Sequence, residues 1–128
     1  MVSKHLLPLI FLGGALGTSL RYLIEILVGN LPQSQIILTS FVNFLGAALL
    51  GFVGSHKLFS SLPKQSFWGV GFLGGFTTMS GLAVITAGLE LGLSAIGPIY
   101  WLLVLLQLVL GVVAYRVGLM LAQGTGAK

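Results

Sequence analysis

The sequence predicts an all-α integral membrane protein with four transmembrane helices, the third of which is broken. Three observations lead to this fold class. Hydrophobic residues make up 56% of the chain and charged residues 6%, with a mean hydropathy of +1.08, whereas a soluble domain carries roughly 25% charged residues. A span needs about 20 apolar residues, so a chain of 128 residues holds four spans and no soluble domain. The third observation is a cluster of glycines and hydroxyl side chains inside one apolar run.

The four spans follow from the four apolar runs of the chain. We expect them at residues 6–28, 36–54, 67–89 and 99–121. The first run follows Lys4 and looks like a signal peptide, but it is too long and lacks a small-residue cleavage site. Residues 1–128 therefore form a single four-helix transmembrane domain of a multi-pass membrane protein.

The third span contains the sequence GFLGGFTTMS, which interrupts its apolar pattern near the middle. Gly74 and Gly75 each lower the helix propensity by roughly 1 kcal/mol relative to alanine. The hydroxyls of Thr77, Thr78 and Ser80 can bond to neighbouring backbone groups, which either kinks the helix or breaks it to form a site. Broken backbone at membrane depth is tolerated only where it is buried in protein or lines a wet cavity, so we expect a break here to be a site.

The cationic residues predict a single orientation in the membrane. With four spans, both termini and the loop between the second and third spans lie on one side. Of the six cationic residues, only Arg21 falls on the other side. The remaining cationic residues are Lys4, Lys57, Lys64, Arg116 and Lys128. By the positive-inside rule, we expect both termini in the cytoplasm, with the chain in the cell inner membrane.

Two polar residues inside the predicted spans leave alternatives open. Asn43 either hydrogen-bonds a neighbouring helix or donates its amide N–H groups to an anion in a narrow passage. Arg21 either pairs with Glu25, one turn away, or draws anions into a vestibule.

The sequence speaks against several functional classes. It contains no cysteine, which excludes disulfides, thiolate metal sites and thiol nucleophiles. His5 and His56 are far apart and have no carboxylate nearby, and no combination of nucleophile, base and orienting group is present, so we expect no enzyme. The net charge of +4 comes from single cations scattered among the spans, which favours membrane lipid over nucleic acid as a partner.

Three motifs of the chain resemble those of the small fluoride channels of the CrcB/Fluc family. They are GGALGTSLRY at residues 13–22, Asn43-x-x-Gly46 followed by Gly51, and GFLGGFTTMS at residues 71–80. They occur in the family's order and separations, and the match covers essentially the whole chain. The resemblance implies a passive, fluoride-selective channel subunit that exports cytoplasmic fluoride and so reduces its toxicity.

The resemblance also implies an antiparallel dimer and a place for each ion. A structural sodium ion at the dimer centre would be held by the backbone carbonyls of Gly74 and Thr77 from each subunit. Fluoride would pass beside this centre, along residues that the resemblance assigns to the ion pathway. These are Asn43, Thr78, Met79, Ser80 and Leu82, and we add Arg21 to the predicted ion pathway for the vestibule role given above.

The chain departs from the family at two points. The family continues with TTFSTF, whereas this chain has Met79 and Leu82 where two pore-lining phenylalanines belong, and neither side chain offers the positive ring edge that can face an anion. The charge bias is the second departure, because identical antiparallel chains must insert in both orientations.

Three alternatives for the function therefore remain open. The chain is a fluoride channel subunit, a weakly conducting structural partner of a heterodimeric fluoride channel, or a small multidrug-type exporter. The dimer is a homodimer or a heterodimer with a paralogue that keeps the rings. The exporters are also antiparallel dimers of four spans, but their coupling carboxylate lies in the middle of the first span, whereas Glu25 lies near its end.

Overall fold

A computed structural model describes residues 4–29, 34–86 and 97–126 of the chain. The secondary-structure elements in these ranges are helices, which confirms the all-helical prediction for this part of the chain. In chain order they are α1 (Leu7–Val28), α2 (Ser34–Ser55), a 3₁₀ turn (Lys57–Phe59), α3 (Leu62–Lys64), a π-helix (Gln65–Leu73), α4 (Gly74–Phe76), α5 (Met79–Thr86) and α6 (Gly97–Gly126).

Three described helices are long and apolar enough to cross a membrane. The qualifying stretches are Leu7–Val28, Ile36–Ser55 and Val104–Thr125, and they correspond to the first, second and fourth predicted spans. Helix α6 continues past the predicted boundary at residue 121. Thr125 Oγ1 donates to the Leu121 carbonyl at 2.8 Å, so its hydroxyl is satisfied within the helix and does not end it.

The region predicted as the third span consists of several shorter helices. Helix α3, the π-helix and α4 follow one another over residues 62–76, and α5 begins after Thr77 and Thr78. The predicted end of this span at residue 89 lies outside the described residues. None of these pieces alone has the length of a membrane-crossing helix.

Helix α1 packs directly against the backbone of the π-helix. A Cβ atom on Gly13 would overlap the Phe67 carbonyl oxygen, and one on Gly17 would overlap that of Phe72. The approach is reciprocal, because a Cβ on Gly71 would lie 2.6 Å from the Ile10 carbonyl oxygen. Small residues allow such backbone contact between membrane helices, where apolar side chains gain little by leaving lipid.

Helices α2 and α6 form a second close pair by the same means. A Cβ on Gly51 of α2 would overlap the Tyr115 carbonyl oxygen, and one on Gly118 of α6 would overlap that of Ala48. Between the two pairs, Val42 of α2 and Phe76 of α4 are buried together. The two glycine-mediated pairs thus bring α2 and α4 to a common core.

The polar connection after α2 is ordered by side-chain contacts to its own backbone. His56 is buried and stacks on Phe52 with ring centroids 4.8 Å apart. Its Nδ1 accepts from the Leu58 N–H at 3.1 Å, and Lys64 Nζ donates to the Leu58 carbonyl at 2.9 Å. The connection therefore leads in a defined conformation into α3.

Candidate functional site

The helical path is interrupted between α4 and α5. Thr77 has φ −77° and ψ 159°, which is extended backbone, and helix resumes at Met79. The preceding π-helix is a rare conformation that is frequent at functional sites. Gly74 and Gly75 weaken the helix before the interruption, and threonine favours its end because its side chain competes for backbone groups.

Asn43 of α2 binds the backbone on the far side of the interruption. Its Oδ1 accepts from the Thr78 N–H at 2.8 Å, and its Nδ2 donates to the Thr78 carbonyl at 3.1 Å. Asn43 therefore makes a structural hydrogen bond to another part of the chain, although its partner is the non-helical Thr78 and not a neighbouring helix. The amide has two N–H donors, so these contacts leave the donation to an anion compatible with the same geometry.

Thr78 and Ser80 form a hydroxyl pair at the start of α5. Thr78 Oγ1 accepts from the Gly81 N–H at 3.0 Å, the position of an N-cap. The same oxygen lies 3.1 Å from Ser80 Oγ. Each hydroxyl carries one proton, and the bond between them uses one of the two. One O–H of the pair therefore remains to donate, whichever residue holds it.

The interruption deprives two carbonyls of their helical donors. In a continuous α-helix the Gly74 carbonyl would accept from the Thr78 N–H, which instead bonds Asn43 at 2.8 Å. The Thr77 carbonyl would accept from the Gly81 N–H, which instead bonds Thr78 Oγ1 at 3.0 Å. Carbonyl oxygens are suitable ligands for a hard cation. The donor chemistry at Gly74 and Thr77 thus fits the predicted sodium site.

The other carbonyls at this helix end have identified partners. The Leu73 carbonyl accepts from the Thr77 N–H at 3.0 Å and from Thr77 Oγ1 at 2.9 Å. The Gly75 carbonyl accepts from Thr18 Oγ1 of α1 at 3.2 Å. The carbonyls of Leu73 and Gly75 therefore have hydrogen-bond donors, whereas those of Gly74 and Thr77 have lost their helical donors.

A cavity of about 720 Å³ lies beside the interruption, between α2, the 65–82 region and α6. Its lining includes most of the residues that the sequence analysis assigned to ions. These are Asn43, Gly74, Thr77, Thr78, Met79 and Leu82. Ser80 is not part of this lining but is bonded to Thr78. Met79 is 72% exposed and Leu82 is 7% exposed, so the two residues predicted to replace pore phenylalanines differ in environment.

Arg21 is separate from the cavity lining. It lies on α1, where its Nη1 is 3.9 Å from Glu25 Oε2, as the pairing interpretation expects. Its Nε is buried and has no hydrogen-bond partner among the described residues. A role of Arg21 in attracting anions stays a prediction.

Thr18 and Gln107 also contact this region, although neither was predicted from the sequence to be a site residue. Thr18 reaches the Gly75 carbonyl from α1. Gln107 of α6 lines the cavity, and its Nε2 donates to Ser40 Oγ of α2 at 2.8 Å. Gln107 carried a signal, since it is an amide inside an apolar helix. Thr18 lies within the motif GGALGTSLRY, where only its spacing from the glycines marks it.

The sequence of the chain is similar to those of known proteins. Residues 8–119 match the family model described as CrcB-like protein, Camphor Resistance (CrcB). A protein of Thermus thermophilus named fluoride-specific ion channel FluC is 40% identical over 120 residues, covering 86% of this chain and 92% of its own. One of Corynebacterium jeikeium, FluC 2, is 34% identical over 136 residues, covering 90% and 78%.

A shorter match adds a third relative. The Listeria monocytogenes EGD-e protein named FluC 1 is 43% identical over 77 residues, covering 56% of this chain and 60% of its own. The numbers in these names suggest that some organisms carry paired paralogues. No solved structure matches the chain.

Proposed function

The chain belongs to the CrcB-like protein family, and we propose that it is a subunit of a fluoride-specific ion channel that exports cytoplasmic fluoride passively. The observation that carries the proposal is the agreement between the named relatives and the donor-lined cavity at the interruption. Members of this family are ion channels and not enzymes, so the proposed activity is the passive movement of an anion down its gradient.

We propose that residues 62–86 form the fourth membrane crossing, between the second and last spans. The three long apolar helices among the described residues supply three crossings, and the α3 to α5 region supplies a broken one. Non-helical backbone at membrane depth requires protein or a wet cavity beside it. Asn43, Thr18 and the cavity meet this requirement at the interruption. With four crossings, both termini lie on one side of the membrane, and the excess of cationic residues on that side favours the cytoplasm.

The anion pathway follows the donors at the cavity. The second N–H of Asn43 and the remaining O–H of the Thr78–Ser80 pair are neutral donors. A neutral donor favours a small anion without the full opposite charge that would trap it. Met79 and Leu82 contribute apolar wall without a ring edge. Arg21, outside the cavity, raises the local concentration of anions at the entrance.

The proposed assembly is an antiparallel dimer with a structural sodium ion at its centre. The carbonyls of Gly74 and Thr77 would hold the ion, because their helical donors are diverted to Asn43 and to Thr78. When bound, the ion supplies positive charge that joins the two subunits. Gly74 is exposed in the single subunit, and a Cβ there would meet nothing within 4 Å, so a second chain has access to it.

The partner in this dimer is a paralogue of opposite orientation that keeps the pore phenylalanines. Two features support a heterodimer: Met79 and Leu82 replace the rings, and the cationic residues fall mostly on one side. The FluC 1 and FluC 2 names among the relatives are in keeping with paralogue pairs. In this assembly the present chain conducts weakly or supplies structure to a pore of its partner.

Fluoride efflux from liposomes tests the function. The protein, reconstituted with its paralogue, is expected to release fluoride passively and much faster than chloride, as recorded with ion-selective electrodes. An equal chloride leak would contradict selectivity. Efflux that requires a proton gradient would instead favour the multidrug-type exporter. Fluoride efflux that is unchanged when the pore donors of this chain alone are removed would identify it as the structural partner.

A further inference from the structure

Thr18 reaches the interruption from a different helix than Asn43 does. Its hydroxyl donates to the Gly75 carbonyl at 3.2 Å, across 57 residues of sequence. In a continuous α-helix that carbonyl would accept from the N–H of Met79, four residues later. Thr18 therefore supplies a donor to a carbonyl that the interruption separates from its helical partner.

The contact is a consequence of close helix packing. A Cβ on Gly75 would lie 2.5 Å from the Gly14 carbonyl oxygen and 2.9 Å from Thr18 Oγ1. Gly14 and Thr18 are one helical turn apart and therefore share a face of α1. Only a residue without a side chain at position 75 admits this face closely enough for the hydroxyl to bond the carbonyl.

The carbonyls around the interruption are thus divided into two groups. Those of Leu73 and Gly75 accept from Thr77 and from Thr18. Those of Gly74 and Thr77 have lost their helical donors to other acceptors. Gly74 and Thr77 line the cavity, whereas Gly75 is not part of its lining and packs on α1.

We propose that Thr18 is a positioning residue for the cation site at Gly74 and Thr77, an inference that rests on the sodium site of the proposed function. Its hydroxyl fixes the Gly75 peptide against α1 and so holds the carbonyls on either side of it for a small, hard, monovalent cation. Without the hydroxyl, the Gly75 carbonyl lacks a partner at membrane depth, where an unsatisfied backbone group costs several kcal/mol. The turn then relaxes, and binding loses its preorganisation.

Thermal unfolding in two salts tests the inference. The full-length chain, purified from membranes as the complex with its paralogue, is heated in sodium chloride and in potassium chloride of equal ionic strength. Sodium is expected to raise the unfolding temperature, and the concentration giving half of this rise reports the affinity. Thr18→Val should need about fivefold more sodium, the factor that corresponds to one lost hydrogen bond. Thr18→Ser retains the hydroxyl and should need as much as the unmodified protein.

A matched control is available on α6. Thr125→Val makes the same chemical change at a hydroxyl that donates within its own helix, and it should leave the sodium dependence unchanged. If Thr18→Val lowers the unfolding temperature equally in both salts, Thr18 only packs the helices and the inference is wrong. Thr18→Ala is judged by the same criteria if the valine variant does not fold.

The sodium site and the role of Thr18 fail in distinguishable ways. An unmodified protein that unfolds at the same temperature in both salts contradicts the cation site itself and with it the inference. If all Thr18 variants need the same sodium concentration as the unmodified protein, only the role of Thr18 is contradicted, and the cation site stands. Fluoride efflux is measured separately, so neither result depends on conduction.

Discussion

Asn43 forms hydrogen bonds with the backbone of Thr78, which lies outside the helices, between α4 and α5. Its amide bonds both the N–H and the carbonyl of Thr78. The N–H of Thr78 would otherwise be unsatisfied in an apolar environment, and its carbonyl gains a donor in addition to the first N–H bond of α5. The residue thereby combines the structural interpretation from the sequence analysis with a position at the cavity. Its role in the interruption is separate from any contact it makes with an anion.

Replacing Asn43 by leucine should therefore destabilise the protein. Two bonds to Thr78 are lost, and the Thr78 N–H is left without a partner in a half-buried position, so the expected loss is about 2 kcal/mol. Gln107→Leu is the matched comparison, because it removes one side-chain bond between helices, typically about 0.6 kcal/mol. Denaturant unfolding in detergent measures both variants. Equal losses would show that the bonds of Asn43 to the backbone have no special weight.

The hydroxyl of Thr78 has two functions that substitutions can separate. It caps α5 through the Gly81 N–H and shares a hydrogen bond with Ser80. Thr78→Val removes both and should destabilise the protein by about 1 kcal/mol, the value of an N-cap. Thr78→Ser retains both and should behave as the unmodified protein. Denaturant unfolding compares the two variants, and equal stability would contradict the cap.

Ser80→Ala isolates the second function of this hydroxyl pair. It leaves the cap in place and removes one hydroxyl from the pair. Fluoride efflux should fall with little change in stability, because the remaining Thr78 O–H loses the hydrogen bond with Ser80 that orients and polarises it. Unchanged efflux from a conducting assembly would exclude Ser80 from the pathway.

At the scale of the elements, glycine contacts determine which helices are neighbours. α1 meets the π-helix at Gly13 and Gly17, and α2 meets α6 at Gly51 and Gly118. Backbone contact of this kind aligns the helices closely enough for short side chains such as Thr18 to reach across. The polar contacts at the interruption thus depend on glycines elsewhere in the chain.

Alanine at these contacts should weaken the structure. In Gly17→Ala the new Cβ would overlap the Phe72 carbonyl oxygen, and in Gly118→Ala that of Ala48. Forcing an extra methyl group into a packed contact costs about 1–3 kcal/mol, so both variants should unfold at lower denaturant concentration. Gly124→Ala is the control, because a Cβ there meets nothing within 4 Å. A similar loss in Gly124→Ala would indicate a general effect of alanine.

At the scale of the whole molecule, the charge bias and the proposed antiparallel assembly need a second chain. Most of the six cationic residues fall on one predicted side, which biases insertion toward one orientation. Large apolar side chains remain exposed on the single subunit, including Phe11 at 75% and Leu27 at 74%. Lipid or a partner covers such surfaces in a membrane.

The orientation predicts how the chain behaves when expressed alone. A tag at the C-terminus should be found in the cytoplasm for nearly every copy, and fluoride efflux should be poor. The double change Met79→Phe with Leu82→Phe should not by itself produce a robust homodimeric channel, since it leaves the charge bias in place. Protease accessibility of the tag and liposome efflux provide the measurements. If half of the tags lie outside and the unmodified chain conducts well, the heterodimer is wrong.

The sequence by itself determined the class of protein, the approximate bounds of three long apolar helices and the location of the glycine and hydroxyl cluster. These features depend on local properties, namely the hydropathy of each residue and its helix propensity. The predicted boundaries were least accurate at the end of α6, which extends to Gly126, and at the start of the third span, where α3 begins at Leu62. A terminal boundary depends on single hydrogen bonds such as that of Thr125, which hydropathy does not report.

Only the tertiary structure decided which backbone groups at the interruption have partners. Thr18 meets Gly75 across 57 residues, Asn43 meets Thr78 across 35, and Gln107 meets Ser40 across 67. The bonds of Thr18 and Gln107 exist because two helices approach closely at glycines that contact distant backbone, and Asn43 reaches Thr78 where Gly46 of α2 lies against the Thr77 side chain. A hydrogen bond requires its two groups within about 3 Å. No property of either residue alone specifies that distance.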